Sequence, residues 1–345
     1  MDFTEIIIYW YNEHKRDLPW RKTNNPYHIW LSEILLQQTR VVQGLPYYEK
    51  FVNVYPTVFD LAAASEDEVL KLWQGLGYYS RARNLHFTAR EIVEKYHGKF
   101  PDSYRGLLKL KGVGDYTASA IASICFNEPV PVVDGNVYRV LARYFGINTP
   151  INSTEGVKIF KEIAKQYIST SQPGTYNQAI MEFGARQCKP QSPHCMFCPL
   201  QSNCVAFNSG QVKNLPVKLK KGKVKKRYFN YLVATNKKST LLQQRLTKDI
   251  WQHLYEFPLL ESEHELSEEE IANCDLYKNI VGDRKSKLEL YNKKSIVHKL
   301  SHQHIHTKFW IVHLDSEIEN GTEVNTIKEY AFPVLIANFV EDYGF

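Results

Sequence analysis

Four of the chain's six cysteines, Cys188, Cys195, Cys198 and Cys204, stand within the seventeen residues CKPQSPHCMFCPLQSNC. No other feature restricts the fold as tightly, because one short loop must either cross-link itself or close around a metal. A chain of 345 residues buries a full core without the disulfide staples that small secreted domains need. The N-terminus, MDFTEIIIYWYNEHKRD, reads as an acidic start and an amphipathic helix rather than a signal peptide, and no apolar run reaches membrane length. The expectation is a protein of the reducing cytoplasm with no membrane partner, where thiolates serve metals or redox chemistry. A spacing of C-x6-C-x2-C-x5-C suits four thiolates on one centre, either tetrahedral zinc or an iron-sulfur cluster. Spacing alone does not choose. It matches neither ferredoxin template, and zinc is the commoner structural ion.

Charge divides the chain behind that loop. From Phe183 to Lys248 there is no Asp or Glu but fourteen Lys or Arg, eight of them in KNLPVKLKKGKVKKR, residues 213 to 227. Such a run reads as a solvated linker, and a linker can also lie along the phosphates of a polyanion. The remainder carries ESEHELSEEE and does not suit nucleic acid over its whole surface. Patterning changes at the same place. Before it come helix signals: Asn25-Pro26 as cap and first position, a capping box at Ser65 to Glu68, Gly98 closing a helix, and Asp102 and Asp115 as caps. After it come short alternating runs, YFNYLVAT, STLLQQR and HTKFWIVHL, and one helix opening at the capping box Ser267 to Glu270. A mainly α-helical part followed by a small α+β domain is predicted.

Three motifs in the helical part carry chemistry. In LKGVGDYTASA, residues 110 to 120, Gly112 and Gly114 sit in a tight turn that leads into a helix. Their N-H groups and the positive end of the helix dipole suit a phosphate, although a plain helix-helix turn has the same look. In PYHIWLSEILLQQTRV, helical spacing surrounds Glu33 with Ile29, Trp30, Leu36 and Gln37. A carboxyl so desolvated has a raised pKa and can donate a proton near neutrality; the alternative is a buried ion pair. In VPVVDGNVYRVLARYFG, an apolar run ends in Asp134 at a helix mouth. That carboxylate caps the helix, and held ionised there it also suits a developing cation.

Together, the L-x-G-V-G-D hairpin, the apolar run ending in Asp about twenty residues on, and the cysteine spacing resemble the helix-hairpin-helix DNA glycosylases of the endonuclease III and MutY superfamily. The resemblance covers residues 1 to about 215. It implies a 4Fe-4S cluster on Cys188, Cys195, Cys198 and Cys204, in place of zinc. WLSEILLQQTRV and WQGLGYYSRARNL are similar to the adenine glycosylase branch, and residues 228 to 345 look like that branch's Nudix-like domain. The implied layout is a helical catalytic domain at 1–215, with a six-helix module near 24–133 and an iron-sulfur module from 1–23 and 134–215. A basic linker follows at 216–227, then a lesion-recognition domain at 228–345.

The resemblance also implies roles. Glu33 protonates adenine N7 and helps position water, Asp134 offsets the sugar cation, and Tyr116 and Asn136 line the pocket. Tyr116 stands where the endonuclease III branch has a lysine; a phenol forms no imine, so water is the expected nucleophile and an abasic site the product. The adenine must be extruded from the duplex, and Gln38, Leu76 and Tyr78 are the candidates to fill the gap, with ordinary helix packing the alternative for Leu76. Adenine is a normal base, so the partner base must identify damage. The family's Phe-Ser-His loop is matched by Leu300-Ser301-His302, in which Leu300 departs from the pattern while Ser301 and His302 retain hydrogen-bonding groups. No hydrolase box of the G-x5-E-x7-R-E-x-x-E-E kind is present. The expected partner is double-stranded DNA holding A:8-oxoguanine or A:G mispairs, bound by a monomer in a bacterial-type nucleoid. Arg186 and Lys189 are expected to meet the DNA backbone, and Cys125 and Cys274 to be buried apolar residues. His302, His304 and His306 alternate as on one strand face, a spacing that also permits a metal. Two other readings remain: a bifunctional pyrimidine glycosylase and lyase, and a non-enzymatic iron-sulfur protein that binds DNA.

Overall fold

The computed structural model describes residues 1–219 and 224–345. The chain forms two compact units, one from Met1–Ala63 with the stretch from Asn84 through the cysteine loop, the other from Ala64–Arg83 with the C-terminal part. The middle of the expected linker, 220–223, lies outside the described residues.

In chain order the helices are α1 (Phe3–His14), α2 (Pro26–Leu35), α3 (Val41–Val54), α4 (Val58–Ala63), α5 (Glu66–Trp73), α6 (Ser80–Tyr96), α7 (Tyr104–Leu107), α8 (Asp115–Phe126), α9 (Gly135–Phe145), α10 (Thr154–Tyr167), α11 (Pro173–Arg186) and α12 (Val205–Asn208). Local chemistry sets their ends. Asn25 accepts the Tyr27 N-H and Pro26 opens α2, while His97 and Gly98, both left-handed, stop α6. Two expected caps fall elsewhere. Ser103, not Asp102, caps α7, and Asp115 lies inside the first turn of α8 behind Gly114. The Asp115 carboxylate is taken by the Tyr104 hydroxyl and by Lys161 Nζ at 2.6 Å, which leaves the backbone at Gly114 uncovered. In this unit α11 packs against α1, α8 and α9, and α2 packs against α8. Trp10 meets Phe183 edge-on at 4.9 Å inside the resulting core.

The second unit is built on a seven-stranded mixed sheet. Its long strands, β1 (Lys225–Thr235) and β8 (Gln303–Leu314), run parallel from the Lys225–Gln303 pair to the Thr235–His313 pair. β1 therefore starts three residues before the expected domain boundary at 228. STLLQQR is not one strand: Ser239–Thr240 (β2) pairs with β1 and with Thr322–Glu323 (β9), whereas Gln243–Gln244 (β3) turns away to pair with Tyr255–Glu256 (β4). Leu259–Ser262 (β5) borders β1, and Ser286–Leu290 (β6) and Ile296–Lys299 (β7) border β8. Glu268–Asn273 (α13) starts at the expected capping box on Ser267, and Asp275–Val281 (α14) buries Ile280 and Val281 against Leu232 and Val312. On the opposite face Phe339 of α15 (Val334–Tyr343) stacks on Phe309 at 4.0 Å. α5 belongs to this unit: Glu66 meets His253, Asp67 accepts from Tyr255 at 3.3 Å, and Lys71 Nζ donates to the Tyr330 carbonyl at 3.0 Å. Among the described residues no helix is long and apolar enough to cross a membrane.

Candidate active site

Glu33, near the end of α2, and Asp134, the cap of α9, line one cavity of about 600 Å³ in the helical unit, with Tyr116, Asn136 and Gln38 in the same wall. That volume lies in the range of small-molecule sites. Helix contacts explain the convergence. α2 and α11 both pack on α8, and α11 reaches the start of α9 through Gly184, where an added Cβ would come within 2.7 Å of the Asn136 side chain. A larger residue there would push Asp134 and Asn136 out of line.

Glu33 is 9% exposed. Burial raises its carboxyl, a hydrogen bond from the Tyr116 phenol restrains the rise, and the Asp134 charge adds to it, so that it titrates at about 7. The phenol oxygen also stands 3.0 Å from the Met181 sulfur, and burial next to two carboxyls keeps it protonated far above its ordinary range. Asp134 accepts the N-H groups of Asn136 at 2.9 Å and Val137 at 2.8 Å, and the Asn136 side-chain amide at 2.7 Å. Burial still raises its carboxyl above the usual range, against the pull of those donors and of Arg139. The site thus holds one carboxyl poised to give or take a proton at neutrality and a second surrounded by donors that favour its ionised form.

Sequence reasoning missed Arg21, Gln178 and Glu182, which line the same cavity. Glu182 is 1% exposed and accepts from Arg16 Nε at 2.7 Å and Arg21 Nη2 at 2.8 Å. Burial raises its carboxyl, but the two guanidinium hydrogen bonds prevail and hold it at about 2. Gln178 uses its carbonyl on the Tyr11 hydroxyl at 2.7 Å. No local pattern announces these pairings, which join positions more than 160 residues apart.

Gly112 is left-handed at φ 76, and a Cβ there would strike Asn84 at 2.8 Å. Gly114 caps α8 with an extended backbone and open space where a Cβ would stand. Both glycines are exposed at the N-terminal end of α8.

The cysteines gather beyond α11. Cys188 follows that helix, Cys195 and Cys198 bracket a single 3-10 turn, and Cys204 opens α12. Cys188, Cys198 and Cys204 pack against the helical core. Burial pushes the Cys198 thiol up to about 11, while the Leu200 N-H donates to its sulfur; the N-H groups of Phe207 and Ala206 do so for Cys204. Arg143 Nη1 stands 3.5 Å from Cys188 Sγ, and Arg139 spans from the Cys188 carbonyl at 2.7 Å to Asn136 Oδ1 at 2.8 Å. Among the described residues no three His, Cys, Asp or Glu side chains are drawn together tightly enough for a single metal ion. That includes the alternating histidines, since His302 is exposed ahead of β8 and His306 stacks on Tyr228 at 4.9 Å. Cys125 and Cys274 are only partly buried, and Cys274 caps α14.

The remaining candidates fall in the second unit. Leu76 is 5% exposed in the turn after α5, where its N-H donates to the Trp73 carbonyl at 3.1 Å. Tyr78 is left-handed and 48% exposed. Leu300, Ser301 and His302 form the tip of the β7–β8 hairpin, closed by the Leu300 N-H on the Gln303 carbonyl at 2.8 Å, with Ser301 and His302 exposed.

Residues 31–166 match the model of the HhH-GPD superfamily of base excision DNA repair proteins, and residues 230–342 match a NUDIX domain. The adenine DNA glycosylase of Buchnera aphidicola subsp. Acyrthosiphon pisum is 33% identical over 309 residues, 88% of this chain and 84% of that protein. The adenine DNA glycosylase of Rattus norvegicus is 45% identical over 226 residues, 62% of this chain and 44% of that protein. Among solved structures, a thermostable thymine-DNA glycosylase superposes with a TM-score of 0.56 at 31% identity over 60% of this chain and 95% of its own. An endonuclease III–DNA complex shares the fold, with a TM-score of 0.52 at 24% identity over 60% of this chain and 94% of its own. With the carboxyl pair, the hairpin and the appended sheet domain all present, the alignment along most of a curated relative means that this chain belongs to the adenine DNA glycosylase family.

Proposed function

We propose that the protein is a monofunctional glycosylase that removes adenine paired with 8-oxoguanine, and with guanine, from double-stranded DNA. The observation that carries this reading is the pair of carboxyls, Glu33 and Asp134, in one cavity of about 600 Å³, roomy enough for an extruded purine nucleotide. Protonated Glu33 gives its proton to N7 of the extruded adenine; the C1′–N9 bond then breaks, its electrons leaving with the base. Ionised Asp134 offsets the positive charge on the sugar. Glu33, now a carboxylate, takes a proton from water as the oxygen bonds to C1′, which restores the acid and leaves an abasic site. Tyr116 keeps Glu33 oriented through its hydrogen bond, and Asn136 keeps Asp134 so. Gln178 puts an amide in the wall whose carbonyl is held by Tyr11 and whose NH2 group can donate to a ring nitrogen of adenine. Gly112 and Gly114 meet a phosphate, Gln38 fills the space the base leaves, and Tyr78 meets the duplex. Ser301 and His302 read the opposite base from the hairpin tip, without an aromatic ring at Leu300.

An excision assay across A:8-oxoguanine, A:G, G:T and oxidised-pyrimidine duplexes tests substrate and branch together. Release of adenine from the first two alone is expected, with strands breaking only after alkali. Spontaneous strand breaks, or release of oxidised pyrimidine, would instead favour the lyase branch.

The four cysteines are proposed to hold a 4Fe-4S cluster. Peptide N-H groups aimed at the sulfurs favour thiolates, as such a cluster requires. The bound group would tie the 188–204 loop into one piece and present Lys189 and Arg186 to the DNA backbone. Cys198→Ala is accordingly expected to lose most of its iron and its visible absorbance and to bind duplex at least tenfold more weakly. Zinc in place of iron in the purified protein would refute the assignment.

A further inference from the structure

The turn that carries Tyr78 is held by the C-terminal chain. Its two ends meet the two backbone groups of one buried residue: the Phe332 N-H donates to Gln74 Oε1 at 3.1 Å, and the Tyr79 hydroxyl donates to the Phe332 carbonyl at 3.2 Å. The same hydroxyl accepts the Gly75 N-H at 3.2 Å. Between these points the backbone is left-handed at Gly75, Gly77 and Tyr78. Tyrosine holds that conformation only against backbone strain, which the surroundings must offset. They do so at Gly77, whose carbonyl accepts from Trp73 Nε1 at 2.9 Å and Arg81 Nη2 at 3.2 Å. The Arg81 guanidinium, 5.6 Å from the centre of the Tyr78 ring, supports one face of it and leaves the rest exposed. Phe332 leads directly into α15, which stacks on β8 through Phe339 and Phe309; β8 begins at the Leu300–His302 tip. A continuous packed path thus joins that tip to the Tyr78 turn inside one compact unit.

We propose that Gln74 and Tyr79 are positioning residues through which the C-terminal domain presents Tyr78 to the duplex, so that their grip on Phe332 governs how readily a paired adenine is extruded. This rests on the glycosylase reading above and adds to it a part for the sheet domain in extrusion as well as in reading the opposite base. The consequence is selective. Loosening the grip should slow removal of adenine from a paired site and leave untouched the removal of an adenine that is already unpaired.

The test uses full-length Tyr79→Phe and Gln74→Ala, with single-turnover excision from A:8-oxoguanine and from an adenine opposite an abasic gap. Fluorescence of 2-aminopurine at the target position, in a Glu33→Gln background, reports extrusion directly. Each substitution, by removing its hydrogen bond to Phe332, should lower paired-site excision and the fluorescence gain about fivefold to tenfold, with excision of unpaired adenine at the wild-type rate. Wild-type behaviour on the paired site, or equal losses on both substrates, would overturn the proposal. Should Tyr79→Phe prove unfolded by thermal melting, Gln74→Ala, less deeply buried, decides alone. A wild-type protein inert on both substrates overturns the glycosylase reading itself and this proposal with it, an outcome that the wild-type arm identifies.

Discussion

Glu33→Gln is expected to lower adenine excision by about 10²- to 10⁴-fold while affinity for an A:8-oxoguanine duplex stays within about threefold. Glutamine keeps the shape of the side chain and can still accept from Tyr116, so the cavity wall is preserved. What disappears is the proton for N7 and, after the bond breaks, the base that activates water. Both losses fall on the transition state and not on ground-state binding, so the rate constant should drop without a matching change in Kd. Single-turnover kinetics beside a binding titration separate the two. Excision at the wild-type rate would remove Glu33 from the chemistry.

The raised carboxyl gives the same substitution a pH signature. Glu33 titrates at about 7 against an ordinary 4.5, so the acid form is lost as pH climbs through 7 and excision should decline tenfold per unit above that point. Stability has a related sign. Between pH 4.5 and 7 the folded protein binds a proton that the unfolded chain has released, so folding weakens as pH rises through that window. Above pH 7 the full cost, on the order of 3 kcal/mol, is present. Glu33→Gln never ionises and should therefore melt higher than wild type at pH 8, with the gap closing towards pH 4.5. A catalyst that becomes more stable on losing its acid is the expected sign of a group kept buried for function.

Much of this was legible in one dimension because the chemistry is carried by short motifs. Asn25-Pro26, Asp134 and Ser267 announce helix starts through their own side chains, and a desolvated Glu33 follows from helical spacing within α2. The cavity wall contributed by Arg21 and Glu182 was not legible, since a salt bridge between α11 and the turn before α2 leaves no periodic trace in either segment. Asp115 misled as a cap because position one of a helix and its cap differ by a single residue, and the carboxylate found Lys161 instead. Leu76 and Tyr78 are both candidates to fill the gap on sequence, with helix packing the open alternative for Leu76. The left-handed turn sends one ring outward and buries the other side chain, a distinction made by backbone dihedrals that the glycines permit and do not by themselves dictate. Likewise, nothing in residues 64–83 reveals that their polar groups are answered far along the chain, at His253, Tyr330 and Phe332.

Asp134→Asn is expected to cost about 10²- to 10³-fold in excision together with about 1–3 kcal/mol of stability, and the two effects have separable origins. One oxygen survives and can still accept the N-H groups of Asn136 and Val137, so the helix keeps a cap. The other oxygen is replaced by an NH2 group facing the Asn136 amide nitrogen, which had donated to it at 2.7 Å. Asn136 cannot turn its amide to repair that clash, because its oxygen is already taken by Arg139 at 2.8 Å. The substitution therefore removes the negative charge that faces the sugar and also frustrates the network that aims it. Ser153→Ala provides the contrast: Ser153 caps α10 by accepting the Gly156 N-H at 3.0 Å, away from the cavity wall. Its loss should lower stability by about 1 kcal/mol and leave excision unchanged. If Asp134→Asn lost no more activity than Ser153→Ala at matched stability, Asp134 would be a cap and nothing else, and the charge opposing the sugar cation would have to come from another residue.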